Sequence, residues 1–375
     1  MAKTEKELLN NNKSLKLRYF GNVMRHPHDN IQSNISNIDE NYCDDIDGLP
    51  TACPSTLEGV NGLAVAISYV LVFFVGFLGN TVVIYVVWTM EKHRTSTDVY
   101  LMHLAVADLL FSLTLPFWAI YVNKSNWIFG SFLCKLLSGV QEASFYCCVF
   151  LLACISIDRY VAIVKATQFL SQQRYVVRIV CALVWLGAIA LSIPVVVQRE
   201  ALLIQSYDNI TQCYDNFTAN TTDALRILRH ILGFFLPLTF MLVCYGWTVG
   251  TLFRSRNSQK HKAMRVILCV VLAFIICWLP NNVAELLDTL MRGKLIEDTC
   301  KHQDNLEVIM YVSQVLAFTH CAINPILYAF VGKKFRNHLL QLLSKKGLVN
   351  TDTLVRYRLG SIYNSGSSRQ TYVTM

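Results

Sequence analysis

Charged side chains stand inside apolar stretches of this sequence, where they cost free energy and therefore mark candidate functional sites. Asp158 and Arg159 are adjacent within CCVFLLACISIDRYVAIV, and Asp108 lies within LAVADLL. The first two side chains can form an ion pair, and a buried carboxylate can accept hydrogen bonds or hold a cation. The loops show no set of nucleophile, base and oxyanion stabiliser and no cluster of metal ligands, so the sequence does not indicate an enzyme.

The stretches that carry these charges are long enough to cross a membrane. Of the 375 residues, 54% are hydrophobic and only 15% are charged, and the mean hydropathy is +0.39. A helix needs about 20 apolar residues to cross about 30 Å of hydrocarbon. Seven segments meet that requirement, at about 60–88, 98–122, 134–164, 178–197, 225–253, 264–290 and 306–331. We therefore predict an all-α membrane protein, a seven-transmembrane helix bundle.

Lysine and arginine are concentrated in alternate connections between these segments, which predicts orientation by the positive-inside rule. The basic connections contain Lys92, Arg94, Lys165, Arg174, Arg178, Arg254, Arg256, Lys260, Lys262 and Arg265, and the segment after the last span adds Lys333, Lys334 and Arg336. Residues 39–58, before the first span, contain no basic residue. We expect a multi-pass plasma-membrane protein with its N-terminus outside and its C-terminus inside.

The segments outside the bundle have distinct compositions. We predict an extracellular segment at 1–59 that is acidic near the membrane, a bundle at 60–332, a short amphipathic cytoplasmic eighth helix at 333–344 and a regulatory tail at 345–375. The acidic segment favours a basic partner outside the cell. The amphipathic helix is expected to lie on membrane lipids. Serines and threonines of the tail are expected targets of kinases.

Cysteines and glycosylation motifs agree with this orientation. Of the 13 cysteines, none lies in a predicted cytoplasmic loop, and those predicted outside are Cys43, Cys53, Cys134, Cys213 and Cys300. Disulfides form in oxidising compartments, and we pair Cys134 with Cys213 and Cys53 with Cys300, which leaves Cys43 over. Asn-X-Ser/Thr motifs that predict glycosylation also fall outside, at Asn34, Asn209, Asn216 and Asn220.

Polar residues and prolines inside the spans form two further groups. Asp108 is predicted to face the bundle interior, with Asn80, Asn324 and His320 at comparable depth, as a site for an allosteric sodium ion. The alternative is that Asp108 only joins helices by hydrogen bonds. Prolines that bend helices occur at Pro116, Pro194, Pro237, Pro280 and Pro325. Trp278 stands beside one of them in CWLP, so movement of its ring could swing the sixth span.

Motifs occur one to a span and in order: Asn80, LAVAD ending at Asp108, DRY at 158–160, Trp185, Pro237, CWLP at 277–280 and NPILY at 324–328. This series resembles the rhodopsin-like G-protein-coupled receptors. TLPFW at 114–118, DRYVAIVKA at 158–166 and HCAINPILYAFVGKKF at 320–335 are similar to chemokine receptors. QKHKAMRVI at 259–267, LLDTLMR at 286–292 and KKGLVNTDTL at 345–354 are most similar to interleukin-8-type CXC chemokine receptors.

The resemblance implies a function and an activation mechanism. The ligands would be basic CXC chemokines that carry Glu-Leu-Arg, and coupling would be to inhibitory G-proteins that direct leukocyte (neutrophil) chemotaxis. Asp158 would restrain Arg159 until the sixth span moves outward. The implied switch residues are Asp158, Arg159, Tyr160, Trp278, Pro280, Asn324, Pro325 and Tyr328. A scavenging receptor that takes up chemokine without signalling is the alternative, although the intact DRY favours signalling. A transporter is disfavoured because the sequence has no internal repeat.

The resemblance also implies two ligand sites. The first, in the N-terminal segment, comprises Asp39, Glu40, Tyr42, Asp44, Asp45 and Asp47. The second, between the helices, comprises Trp118, Gln141, Arg226, Asp288, Arg292 and Gln314. Gln314 departs from the glutamate usual in the family, and Gln141 argues against an aminergic receptor, which would have aspartate there. The receptor is expected to form homo- or heterodimers, and no nucleic-acid partner or resident cofactor other than the sodium ion is expected.

Overall fold

The computed structural model describes residues 62–90, 95–165, 174–204, 210–215, 219–253, 258–292, 295–296 and 300–347. Its helices are α1 Gly62–Thr89, α2 Ser96–Lys124, α3 Gly130–Ile163, α4 Arg174–Gln198, α6 Ser258–Arg292, α7 Cys300–Val331 and α8 Lys333–Lys345. The remaining helix, α5, consists of an α-helix Ala219–His230, a π-helical segment Ile231–Phe235 and an α-helix Leu236–Phe253.

Within the described residues, seven helices are long and apolar enough to cross a membrane, which confirms the predicted seven-span bundle. Large apolar side chains remain exposed on the outside, among them Leu71, Leu186 and Phe240. Such exposure is expected of surfaces that face lipid. Most helices begin before the predicted span, as α2 does at residue 96 against the predicted 98.

The start of α2 illustrates how local sequence sets a helix boundary. Thr95 is the N-cap residue, and its hydroxyl accepts a hydrogen bond from the backbone N–H of Asp98. The Asp98 carboxylate in turn accepts from the backbone N–H of Thr95 at 2.7 Å, which completes a capping box. A cap of this kind contributes about 1 kcal/mol.

Close helix packing brings α1 against α7. A Cβ atom added to Gly79 would lie 2.8 Å from the ring of Pro325, so only glycine fits here without a shift. Asn80, the next residue, donates from its side-chain amide to the backbone carbonyl of Cys321 at 2.8 Å. The NPILY segment is therefore held against α1 by shape and by a hydrogen bond.

Two strands, which were not predicted, connect α4 to α5. β1 Arg199–Ile204 pairs with β2 Ile210–Asp215 in antiparallel register, with Ala201 opposite Cys213. The turn between α2 and α3 binds this hairpin: the backbone N–H of Trp127 donates to the Thr211 carbonyl at 2.8 Å, and the Thr211 N–H donates to Asn126 at 2.9 Å. The hairpin therefore closes over one end of the bundle, which we call the hairpin end.

Candidate functional site

A disulfide fixes the hairpin end. Cys134, in the second turn of α3, is bonded to Cys213 of β2 across a sequence separation of 79 residues, which confirms the predicted pair. Aromatic residues pack beside it, with Trp127 2% exposed and its ring 5.3 Å from that of Trp118. Cys53 and the side chain of Cys300 lie outside the described residues, so the predicted pair between them stays a prediction.

The structure describes the side chains of five of the predicted ligand residues: Trp118, Gln141, Arg226, Asp288 and Gln314. Arg226 Nη1 lies 3.5 Å from Asp288 Oδ2, so the predicted opposite charges do meet. Gln314 Oε1 accepts from the Tyr69 hydroxyl at 3.2 Å. Among the described residues, Trp118 Nε1 and Gln141 Nε2 are buried without a hydrogen-bond partner.

The other predicted ligand residues cannot be placed. The acidic residues of the N-terminal segment and Tyr42 lie outside the described residues, as does the side chain of Arg292. The glycosylation motifs at Asn34, Asn209 and Asn216 also lie outside, and Asn220 is in the first turn of α5 with its side chain outside them. These assignments stay predictions.

A cluster that the sequence reasoning missed joins three helices between the hairpin end and Trp278. Arg229 of α5 places Nε 2.7 Å from Glu142 Oε1 of α3 and Nη1 2.6 Å from Glu285 Oε2 of α6. Asn281 Nδ2 donates to the other Glu285 oxygen at 2.7 Å. The available signal was the same as for Asp108, because all three charged residues stand in apolar helices.

The cluster is connected to Trp278 by two routes. The Arg229 guanidinium carbon lies 5.7 Å from the centre of the Phe145 ring, and that ring is 4.4 Å from the ring of Trp278. His230 Nδ1 lies 3.1 Å from Asn282 Oδ1, and the Asn282 amide donates to the Trp278 backbone carbonyl at 3.0 Å. A change at the cluster therefore reaches both the ring and the backbone of Trp278.

Trp278 sits in an aromatic core that extends towards Asp108. The indole is 3% exposed and lies 5.6 Å from the His320 ring and 6.3 Å from the Phe111 ring. Pro280, two residues along α6, removes one backbone hydrogen bond at this depth. The predicted switch tryptophan and proline therefore lie where α6 contacts both α3 and α7.

Asp108 is fully buried and contacted from α3 and α7. Its Oδ1 lies 2.8 Å from His320 Nε2 and 3.5 Å from Cys148 Sγ, and its Oδ2 accepts from Asn324 Nδ2 at 2.7 Å. Asn80, which was predicted to join this group, instead directs its amide to the carbonyls of Gly76 and Cys321. Its Oδ1 is buried without a hydrogen-bond partner among the described residues.

This arrangement does not match the ligands that a sodium ion prefers. Sodium is a hard cation that favours oxygen, whereas the atoms around the Asp108 carboxylate are a ring nitrogen, a thiol and an amide that donates. Binding of sodium would require Asn324 to turn its oxygen inward and His320 Nε2 to move from Oδ1. In this structure the Asp108 carboxylate is therefore satisfied by side chains of α3 and α7 and not by an ion.

The opposite end of α3 carries the predicted latch. Arg159 bonds Asp158 Oδ2 through Nη2 and, at 3.1 Å, through Nε. The Thr97 hydroxyl of α2 lies 3.5 Å from the same oxygen. Tyr328 of α7 is 3% exposed, and its ring is 6.2 Å from Phe335 of α8. A charged pair is thus held between α2 and α3 at the end away from the hairpin.

Comparison with known proteins identifies the family. Residues 79–328 match the family described as 7 transmembrane receptor (rhodopsin family). The chain is 45% identical over 330 residues to human C-X-C chemokine receptor type 1, covering 85% of this chain and 93% of that protein. It is 44% identical over 319 residues to the rabbit type 1 receptor, covering 84% and 89%, and 44% identical over 326 residues to the mouse type 2 receptor, covering 85% and 90%. The chain belongs to the CXC chemokine receptors of the rhodopsin family. These receptors are not a class of enzyme, and the receptor is a multi-pass plasma-membrane protein.

The contacts of Asp108 lead to a prediction about salt. Replacing Na⁺ by N-methyl-D-glucamine should change the chemokine affinity of the parent receptor by less than about fivefold, the lower end of ordinary allosteric coupling. His320→Asn substitutes a carbonyl oxygen for the ring nitrogen, and the variant should become more sensitive to Na⁺ than the parent. The measurement is chemokine competition binding on membranes at constant ionic strength. A large sodium effect in the parent, unchanged in the variant, would contradict this reading of the site.

Proposed function

We propose that the receptor binds CXC chemokines that carry Glu-Leu-Arg at the extracellular surface and signals through inhibitory G-proteins to direct neutrophil chemotaxis. The observation that carries this proposal is the identity of 44–45% to CXC chemokine receptor types 1 and 2 over most of the chain. The basic connections support an orientation with the hairpin end and the N-terminus outside the cell. A disulfide at that end is consistent with an oxidising compartment.

Recognition would proceed in two steps. Asp39, Glu40, Asp44, Asp45 and Asp47 supply a dense negative charge that would attract and dock the basic body of a chemokine. The N-terminal arm of the chemokine would then enter between the helices. The described Arg226–Asp288 pair offers both signs of charge there, which suits an arm that contains glutamate and arginine.

Signalling, in place of scavenging, is favoured by the latch. Asp158 and Arg159 are both present and bonded to each other in this structure. A receptor that only takes up chemokine needs no such pair. Release of Arg159 towards a G-protein, as Trp278 shifts and α6 moves outward, is the activation step that we propose.

The experiment is inhibition of cellular cAMP by a panel of CXC chemokines with and without Glu-Leu-Arg. The expected result is a response confined to the Glu-Leu-Arg chemokines and abolished by toxin block of inhibitory G-proteins. Binding and uptake without any cAMP change would instead identify a scavenger. Failure of every CXC chemokine to bind would contradict the proposed ligand class.

Regulation would follow from the segments outside the bundle. The helix α8 carries Leu339, Leu340 and Leu343 at helical spacing, which suits contact with membrane lipids. Phosphorylation of the tail by receptor kinases would recruit arrestin and end signalling.

A further inference from the structure

The cluster of Arg229, Glu142 and Glu285 has the composition of a site that holds a guanidinium between two carboxylates. Two carboxylates converge on one guanidinium, at 2.7 and 2.6 Å. We call Glu142 and Glu285 the carboxylate clamp. With both members ionised, the clamp and Arg229 together carry one excess negative charge. Close paired contacts of this kind are typical of guanidinium recognition by carboxylates.

Neighbouring groups leave that charge largely in place. Asn281 donates to Glu285 but is neutral, and His230 Nε2 stands 3.8 Å from Glu285 Oε2, beyond hydrogen-bond distance. The next pair towards the hairpin end, Arg226 with Asp288, is itself balanced in charge. Among the described side chains, Arg229 is the cation that contacts both members of the clamp.

Arg229 is held in a way that permits exchange. Its Nε lies close to Glu142 Oε1, yet neither atom makes an aligned hydrogen bond among the described residues, so this contact is an ion pair alone. The side chains of Arg229 and Glu285 are 25% and 27% exposed, whereas that of Glu142 is 9% exposed. The exposed side of the guanidinium gives Arg229 a way out of the cluster, and Glu142 is the more buried member of the clamp.

We propose that the carboxylate clamp binds a guanidinium of the incoming ligand, and that Arg229 occupies the same place in the ligand-free receptor. Under the proposed function, on which this part rests, the group is the arginine of Glu-Leu-Arg. Exchanging one guanidinium for another preserves both ion pairs. The ligand can therefore replace Arg229 without leaving the two carboxylates uncompensated.

The exchange would alter the surroundings of Trp278. Arg229 leaves its position over the Phe145 ring when the ligand takes the clamp, and that ring packs 4.4 Å from Trp278. Glu285 and Trp278 lie on the same helix, α6, separated by about two turns. Binding of the ligand at the clamp would thereby change the packing around Trp278.

The first arm of the test needs no chemokine. In the purified full-length receptor, Arg229→Ala empties the clamp and should lower the melting temperature by about 6 °C or more, because Glu142, which is buried, and Glu285, which is partly exposed, both lose their cation. Methylguanidinium at roughly tenfold its dissociation constant should then raise it by about 3 °C. Methylurea, which has the same shape without charge, should not. An equal rise in melting temperature with both compounds would overturn the proposal. So would an equal rise with methylguanidinium in the double variant Arg229→Ala/Glu285→Gln.

The second arm assigns the ligand group. Interleukin-8 is compared with a version whose Glu-Leu-Arg arginine is citrulline, a neutral isostere, on the parent receptor and on Glu285→Gln. Glu285→Gln should weaken the binding of native interleukin-8 by about 30-fold or more, and it should weaken the binding of the citrulline form by much less. Equal losses for both forms would exclude the arginine. If interleukin-8 does not bind the parent, the proposed function fails, and the methylguanidinium arm still decides whether the clamp takes a guanidinium.

Discussion

Arg159→Ala is expected to abolish G-protein activation while chemokine binding stays within a few-fold of the parent receptor. Arg159 lies at the end of α3 far from the hairpin, so its removal does not touch the ligand residues. Loss of one charged contact to a partner typically costs about 2–5 kcal/mol, which is about 30-fold or more in coupling. The measurement is nucleotide exchange on an inhibitory G-protein in membranes matched for receptor number.

Asp158→Asn is the matched control for the latch. The asparagine is nearly the same size, but it removes the negative charge that holds Arg159, and the remaining oxygen can still accept from Thr97. Arg159 then becomes available without ligand, so basal nucleotide exchange should rise. Normal activation by Arg159→Ala, or unchanged basal activity in Asp158→Asn, would show that the pair is only structural.

Cys213→Ser is expected to remove most functional receptor from the cell surface. The bond to Cys134 closes a loop of 79 residues, and loop-closure entropy for that length gives about 4.5 kcal/mol. The value is an upper bound, because inserted spans restrict the unfolded chain as well. Without the bond, the described hydrogen bonds of β2 to β1 and to the turn between α2 and α3 remain, but no covalent link holds it to α3.

Surface labelling and chemokine binding test this prediction, with Cys244→Ser as the matched control. Cys244 is a free thiol within α5, so its replacement removes a cysteine without breaking a crosslink. Cys134→Ser should behave as Cys213→Ser does, and the double variant should be no worse than either single one. Full surface expression and affinity in both single variants would mean that the bundle positions the hairpin without the bond.

The spans and the latch pair were predictable because each depends on local sequence, and the disulfide was predictable because few cysteines lie outside the predicted spans. Twenty apolar residues in a row have few alternatives to a membrane helix. Asp158 and Arg159 are adjacent in sequence, so their contact required no knowledge of tertiary packing. His320 was also correctly placed near Asp108 from depth alone.

The carboxylate clamp was not predicted because its members come from three helices. Depth can be counted from the sequence, but the direction of each side chain depends on how each helix is rotated about its axis. Asn80 shows the same limit: its depth suits Asp108, yet its amide faces the carbonyl of Cys321. The hairpin was not predicted because its strands are only six residues each and β1 follows directly on an apolar span.

The π-helical segment Ile231–Phe235 changes which way the side chains of α5 face, so that the parts before and after it are rotated relative to each other. A π turn contains an extra residue compared with an α turn, so residues before it are rotated by about 100° relative to an uninterrupted α-helix. Arg226 and Arg229 precede the segment and face ion-pair partners on α3 and α6, whereas Met241 and Tyr245 follow it and pack in the core. The half of α5 before the segment can therefore present its arginines to α3 and α6 while the half after it keeps its packing in the core.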